Sequence, residues 1–123
     1  FDYRPLRSDS GFRLVRLHAG RREDDITCHI FHSTLWDHPS FEALSYTWGE
    51  MARLHVIFST EGIVSITANC EAALRDLRYS FRDRILWIDA LCIDQENDEE
   101  KNQQVPLMSR IYSAARRVVI YIG

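Results

Sequence analysis

Asp89, Asp94 and Glu100 follow closely on the apolar run Ile85-Leu-Trp-Ile88, and carboxylates just past a buried strand suit three chemistries. They hold ribose hydroxyls, bind a metal ion or stabilise a cationic transition state. The crevice beyond the carboxyl ends of the strands is where open α/β sheets take their ligands, and Gln95 and Gln104 add amides to the same stretch. A second strand-to-loop junction, Phe41-Glu-Ala-Leu-Ser-Tyr-Thr-Trp-Gly-Glu50, repeats the arrangement. There Tyr46 and Trp48 offer rings that stack on a base or nicotinamide, and Gly49 lets backbone approach a ligand. Each residue also has a plain structural role. Asp89 shapes a turn, Asp94 likewise, Glu100 completes a capping box, Trp48 plugs the end of the core, Gly49 makes the turn and Gln104 faces water.

Other chemistries are excluded. Cys92 has no nearby His base, and flanking acids raise a thiol pKa, so it is not a nucleophile. His29 and His32, three apart on a strand, point to opposite faces and make no zinc pair. Cys28, Cys70 and Cys92 are odd in number and lack a Cys-x-x-Cys spacing, which predicts reduced thiols, no disulfide framework and no metal site. Neither GxGxxG nor GxxxxGK[ST] occurs, so the ordinary phosphate cradles are missing.

The elements that would position these residues read as α/β. Phe12 to His18 and Ile26 to His32 alternate as a half-exposed β-hairpin with a long loop, and Leu35 to Ser40 is a turn region leading into a strand over Glu42 to Tyr46. Leu54 to Phe58 and Ile63 to Thr67 form a second hairpin, with Gly62 at positive φ in its turn. Asn69 reads as the N-cap of a helix whose apolar face is Cys70, Ala73, Leu74, Leu77 and Phe81. A second helix starts near Asn97, with Glu100 as capping-box partner and Val105, Met108, Ile111, Tyr112 and Ala115 as its apolar face. Pro106 predicts a kink or a fresh start inside it. Arg117 to Ile122 is the last strand, and Ile85 to Ile122 reads as a right-handed parallel crossover. The predicted architecture is a partly parallel central sheet flanked by helices, with Glu42–Tyr46, Ile85–Ile88 and Val118–Ile122 at its centre and antiparallel hairpins appended.

The 123 residues suffice for one domain, residues 1–123, and no more. Fifteen basic residues scattered among eighteen acidic ones give a net charge of −3, which argues against nucleic acid as partner. No apolar run approaches the ~20 residues of a membrane span and no leader opens the chain, so a cytoplasmic protein is expected. A start at Phe1 and a stop after an apolar strand suggest a piece of a longer, multidomain protein.

The blocks Phe41–Gly49, Leu86–Gln95, Gln104-Val105, Met108, Ile111-Tyr112 and Ala115 resemble, in order and spacing, the fungal heterokaryon incompatibility (HET) domain. Tyr3–Leu6, Phe12–Leu17 and Val118–Gly123 extend the resemblance over nearly the whole chain. It implies a signalling or effector module of nonself recognition that promotes programmed cell death, with a layout remotely similar to flavodoxin-like Toll/interleukin-receptor (TIR) domains. By that analogy NAD is a candidate substrate. Cleaving its nicotinamide–ribose bond asks only for one carboxylate beside the forming oxocarbenium ion, in the order of preference Glu100, Asp89, Asp94, with Tyr46 and Trp48 lining the pocket. The other implied mode is a non-catalytic adaptor that self-associates or docks on death-pathway or NLR-type signalling domains.

Overall fold

In a computed structural model, residues 1–6 and 10–122 are described, so Gly123 of the last block lies outside the described residues. One seven-stranded mixed sheet carries helices on both faces, and the chain is of the α/β class. The strands are β1 (Gly11–Leu17), β2 (Thr27–Thr34), β3 (Glu42–Tyr46), β4 (His55–Ser59), β5 (Gly62–Ile66), β6 (Arg84–Ile88) and β7 (Arg117–Tyr121), in the spatial order β5-β4-β2-β1-β6-β3-β7. β3 runs parallel to both β6 and β7, whereas β1 is antiparallel to β2 and β6. β2 and β4 are parallel, and β4 and β5 form the second hairpin, whose Gly62 has φ 145°.

Three expectations are corrected. β7 is an edge strand rather than a central one, and β3 lies between it and β6, so the Ile85–Ile122 crossover steps over a strand. The second hairpin, β4–β5, lies at one end of the sheet as expected, whereas the first is not appended, since β1 sits mid-sheet and is paired on both sides. For the same reason β1 is buried along almost all its length instead of half exposed, with Arg13 1% accessible.

Strand register sorts the side chains. Val15, Leu86 and Ile88 share a face with Leu44 and Ile57, covered by helix α1 (Ala68–Leu77) through Cys70, Ala73 and Leu74. Phe12, Leu14 and Trp87 occupy the other face, where the Trp87 ring meets Tyr112 edge-on at 5.3 Å. Tyr112 belongs to α4 (Met108–Ala114), the continuation of α3 (Asp98–Gln104) after a 3-10 turn at Val105–Leu107. Pro106 stands in that turn, the fresh start its missing amide demands. The turn shifts the helical phase, which leaves Val105 59% exposed instead of on the apolar face.

α1 begins two residues earlier than its sequence suggests. Thr67, not Asn69, is the N-cap, its hydroxyl accepting from the Cys70 amide at 3.2 Å. Its far end stops at Leu77 because Arg78 turns extended and donates to the carbonyls of Arg21, Arg22, Asp24 and Asp25, so Phe81 is solvent-exposed rather than on the helix face. Thr67→Ala is expected to cost about 1 kcal/mol of stability. Asn69→Ala should leave the cap intact; urea denaturation of both variants checks the assignment.

Candidate functional site

Because Leu44 pairs with Ile88 in parallel strands, the loops after Tyr46 and Ile88 leave the sheet side by side at one edge. A one-turn helix α2 (Asp89–Cys92) starts there directly, where a loop was expected. Asp89 is half-buried, and burial raises its carboxyl above the usual carboxylate range against the opposing pull of the Ala90 amide and the Trp48 indole N–H. Tyr46 approaches from the α1 face. Its phenol is pushed up by burial and then by Cys70, and its hydroxyl lies over Cys70 and Thr67 without a well-formed hydrogen bond to either. Burial likewise raises the Cys70 thiol to about 11. Tyr112 comes from the other face, beside Ser45, and its phenol is raised by burial and by the Asp89 charge. The sheet edge therefore gathers one carboxylate and three aromatic rings from three segments: β3 with its loop, α2 and α4. Between Tyr46, Trp48, Thr67 and Cys70 remains a cavity of only about 20 Å³, room for one water.

Two neighbours hold this edge in shape. Gln95 donates to the carbonyls of Asp89 at 2.8 Å and Ile93 at 3.3 Å, which folds the loop back on α2. Gly49 has φ 67°, and a Cβ there would stand 2.5 Å from Asn69 Nδ2, itself a donor to the Thr47 carbonyl. The left-handed backbone favours glycine here, and any larger residue would also displace the Asn69 amide.

Glu100, Asp94 and Gln104 gather elsewhere, around Arg13. Both Arg13 terminal nitrogens donate to the two Glu100 oxygens at 2.7 Å, and they also reach the carbonyls of Cys92 and Arg4. Glu100 further accepts from the Asp94 amide at 2.6 Å. Burial alone would raise its carboxyl, but Arg13 and the Asp94 amide together hold it below the usual range. The capping box is thus only half made: Asn97 accepts from the Glu100 amide at 3.0 Å, whereas the Glu100 side chain turns to Arg13 instead of back to Asn97. Asp94 accepts from the Glu96 amide at 3.2 Å, and buried Gln104 donates to the Gly11 carbonyl at 2.9 Å instead of facing water. Cys92 is buried and its thiol is raised by burial to about 12, which leaves it inert as expected.

Arg13, Cys70 and Tyr112 are the site residues that sequence reading passed over. Arg13 was legible in principle, since residues 13, 15 and 17 share a strand face with Val15 and Leu17. A second cavity, about 580 Å³, lies between the segment Phe1 to Leu6 and β2, lined among others by Arg4, Arg13, Phe31 and Glu61. None of the sequence-predicted site residues lines it. Among the described residues no group of three His, Cys, Asp or Glu is placed to hold a metal, and no helix is long and apolar enough to cross a membrane.

Comparison with known proteins adds a lineage to this geometry. The family model "Heterokaryon incompatibility protein (HET)" matches residues 41–123. The Neurospora crassa protein "Heterokaryon incompatibility protein 6, OR allele" is 38% identical over 125 residues, covering 90% of this chain but 18% of its own length. No solved structure matches. The matched region contains β3, β6, β7 and the loops that meet at Asp89, so the chain belongs to the heterokaryon incompatibility (HET) family.

Proposed function

We propose that this domain is an effector module of fungal incompatibility that promotes cell death by protein association, with its motif residues acting as fold determinants. The observation that carries this reading is the closed sheet edge: Trp48 sits on Asp89, and the space beside them is about 20 Å³, far below the ~300 Å³ at which small-molecule pockets begin. Glu100 has both oxygens committed to Arg13, which supports a structural role. The chain corresponds to 18% of its Neurospora relative, in keeping with a module inside a longer protein.

A second reading keeps NAD cleavage, with Asp89 as the carboxylate. It is favoured by one observation, the raised carboxyl of Asp89 among Tyr46, Trp48 and Tyr112. Asp89→Asn separates the two cleanly. A carboxyl raised by burial opposes folding once ionised, so its contribution to stability falls as pH rises, and the amide should fold at least as well at pH 7. Inducible expression in a filamentous fungus, with nicotinamide release from NAD measured on the purified protein, is the test. Undiminished killing by Asp89→Asn and no nicotinamide from wild type are the expected results. Release by wild type that disappears in Asp89→Asn would replace the association reading with the enzymatic one.

A further inference from the structure

Three guanidinium groups converge on the single carboxylate of Glu42, which is 1% exposed at the start of β3. Arg84 occupies both of its oxygens at 2.8 and 3.1 Å, with Tyr79 packed against the guanidinium. Arg116 and Arg117 lie farther out, 3.7 and 3.5 Å from those same oxygens, and each side chain is 61% exposed. Neither makes a hydrogen bond with its guanidinium among the described residues. Arg82, exposed, lies over the same Tyr79 ring at 4.4 Å. One buried anion therefore neutralises a fraction of the positive charge assembled around it, and the surplus is carried by two side chains largely exposed to solvent. Like charges held this close repel, and an anion seated on Arg116 and Arg117 relieves that repulsion.

The complementary surface is on the same molecule but out of its own reach. β6 starts at Arg84 and leads, past its far end, into Glu96, Asp98 and Glu99, all exposed. The helical run from α3 to α4 connects the same two regions again: it begins at Asp98 and delivers the chain to Arg116 and Arg117. Seventeen helical positions separate them by roughly 25 Å at 1.5 Å per residue, well beyond a Debye length of about 8 Å. Among the described residues none of Glu96, Asp98 or Glu99 takes part in an ion pair. Acids at a helix start and bases at its end are ordinary compensation for the helix dipole. The Glu42 cluster exceeds that, because Arg84 comes from a different segment and already occupies both Glu42 oxygens.

We infer that the Arg116–Arg117 surface binds the Glu96–Glu99 tract of a second copy of this chain. The inference rests on the association reading above and specifies its contact. A second copy is the occupant because both halves of the match are present on every molecule, while a net charge of −3 and a cluster only two exposed guanidiniums wide suit nucleic acid poorly.

Sedimentation velocity on the purified chain tests it with two neutralising variants, Arg116→Gln/Arg117→Gln and Glu96→Gln/Glu99→Gln, each verified as folded by circular dichroism. Glutamine leaves Glu42 with Arg84 and introduces no cation at the start of α3. Wild type is expected to associate, and about tenfold more weakly when salt rises from about 0.1 M to about 1 M and the Debye length falls from about 10 to about 3 Å. Each variant alone should associate at least about tenfold more weakly than wild type. Mixed together, they should form one-to-one complexes, since one retains the acidic tract and the other the arginines. Salt-insensitive association that both variants retain would overturn this contact while leaving association itself standing. A wild-type chain that stays monomeric at every concentration would overturn the contact as well. If that monomer still kills, the association reading survives through a different partner; if killing tracks Asp89 instead, that reading fails separately.

Discussion

Glu100→Gln is expected to cost about 3–5 kcal/mol of folding free energy, because it leaves the Arg13 guanidinium buried without its counter-charge. That lowers the thermal midpoint by more than about 10 °C for a domain of this size. Arg13 joins β1, the carbonyl of Cys92, the carbonyl of Arg4 and the start of α3, and the Tyr3 ring packs on its guanidinium at 4.7 Å, so the loss is felt across four segments. Arg13→Met/Glu100→Leu should be less destabilised than Glu100→Gln, since no unpaired charge remains, though the carbonyls and the Asp94 amide lose their partners. Calorimetry on the three proteins decides. A Glu100→Gln midpoint within about 2 °C of wild type would show that the pair does not hold the fold. The same variant matters for function: if it fails to kill, the cause is unfolding, and its loss of activity is no evidence for a catalytic carboxylate.

Glu42→Gln should be comparably damaging, about 3–5 kcal/mol, and for a related reason with a different signature. Removing that charge leaves Arg84, Arg116 and Arg117 clustered without an anion. Because two of the three are exposed, added salt should restore part of the loss, whereas it should do little for Glu100→Gln, whose partner is 1% exposed. Both carboxylates also make the protein acid-sensitive. The hydrogen bonds from Arg84, the largest influence, and the charges of Arg84, Arg117 and Arg116 hold Glu42 below the ordinary range although burial opposes its ionisation. Glu100 is likewise lowered. A folded pKa below the unfolded value of about 4.3 means the stabilisation is complete above that pH and is lost as pH falls through the folded value. Urea denaturation at stepped pH should show wild-type stability level near neutrality and falling below about pH 4, with a shallower fall in Glu42→Gln. An equal slope in the two proteins would contradict the assignment.

The strands and the two principal helices were legible in the chain because their signals are local. Period-two alternation placed β1 and β2, the turn ending at Gly62 placed β4 and β5, the buried run placed β6, and Asn97 and Pro106 marked the start and the break of the second helix. The side-by-side strand ends at Tyr46 and Ile88 were also anticipated, since polar loops after apolar strands repeat there. Errors arose where a nonlocal partner outbid a local one. Glu100 had a capping role within reach three residues away and took Arg13 instead, because a buried guanidinium needs a counter-charge more than an exposed amide needs a cap. Phe81 continued a helical stripe, but Arg78 found four loop carbonyls and ended the helix first.

Order of strands along the sheet was beyond sequence, because adjacency depends on which edges meet after the chain has turned, and nothing within β7 distinguishes an outer strand from an inner one. Partition of the carboxylates was equally beyond it. Asp89 and Glu100 are near neighbours along the chain, yet the first is drawn to Trp48 and the second to Arg13, since the intervening α2 turn points them at different parts of the sheet edge. Residue types and their periodicity carry fold class, lineage and the set of ionisable groups in this protein. Which of those groups face one another, and how much room is left between them, is settled by long-range packing, where each side chain's burial depends on segments far away in the chain.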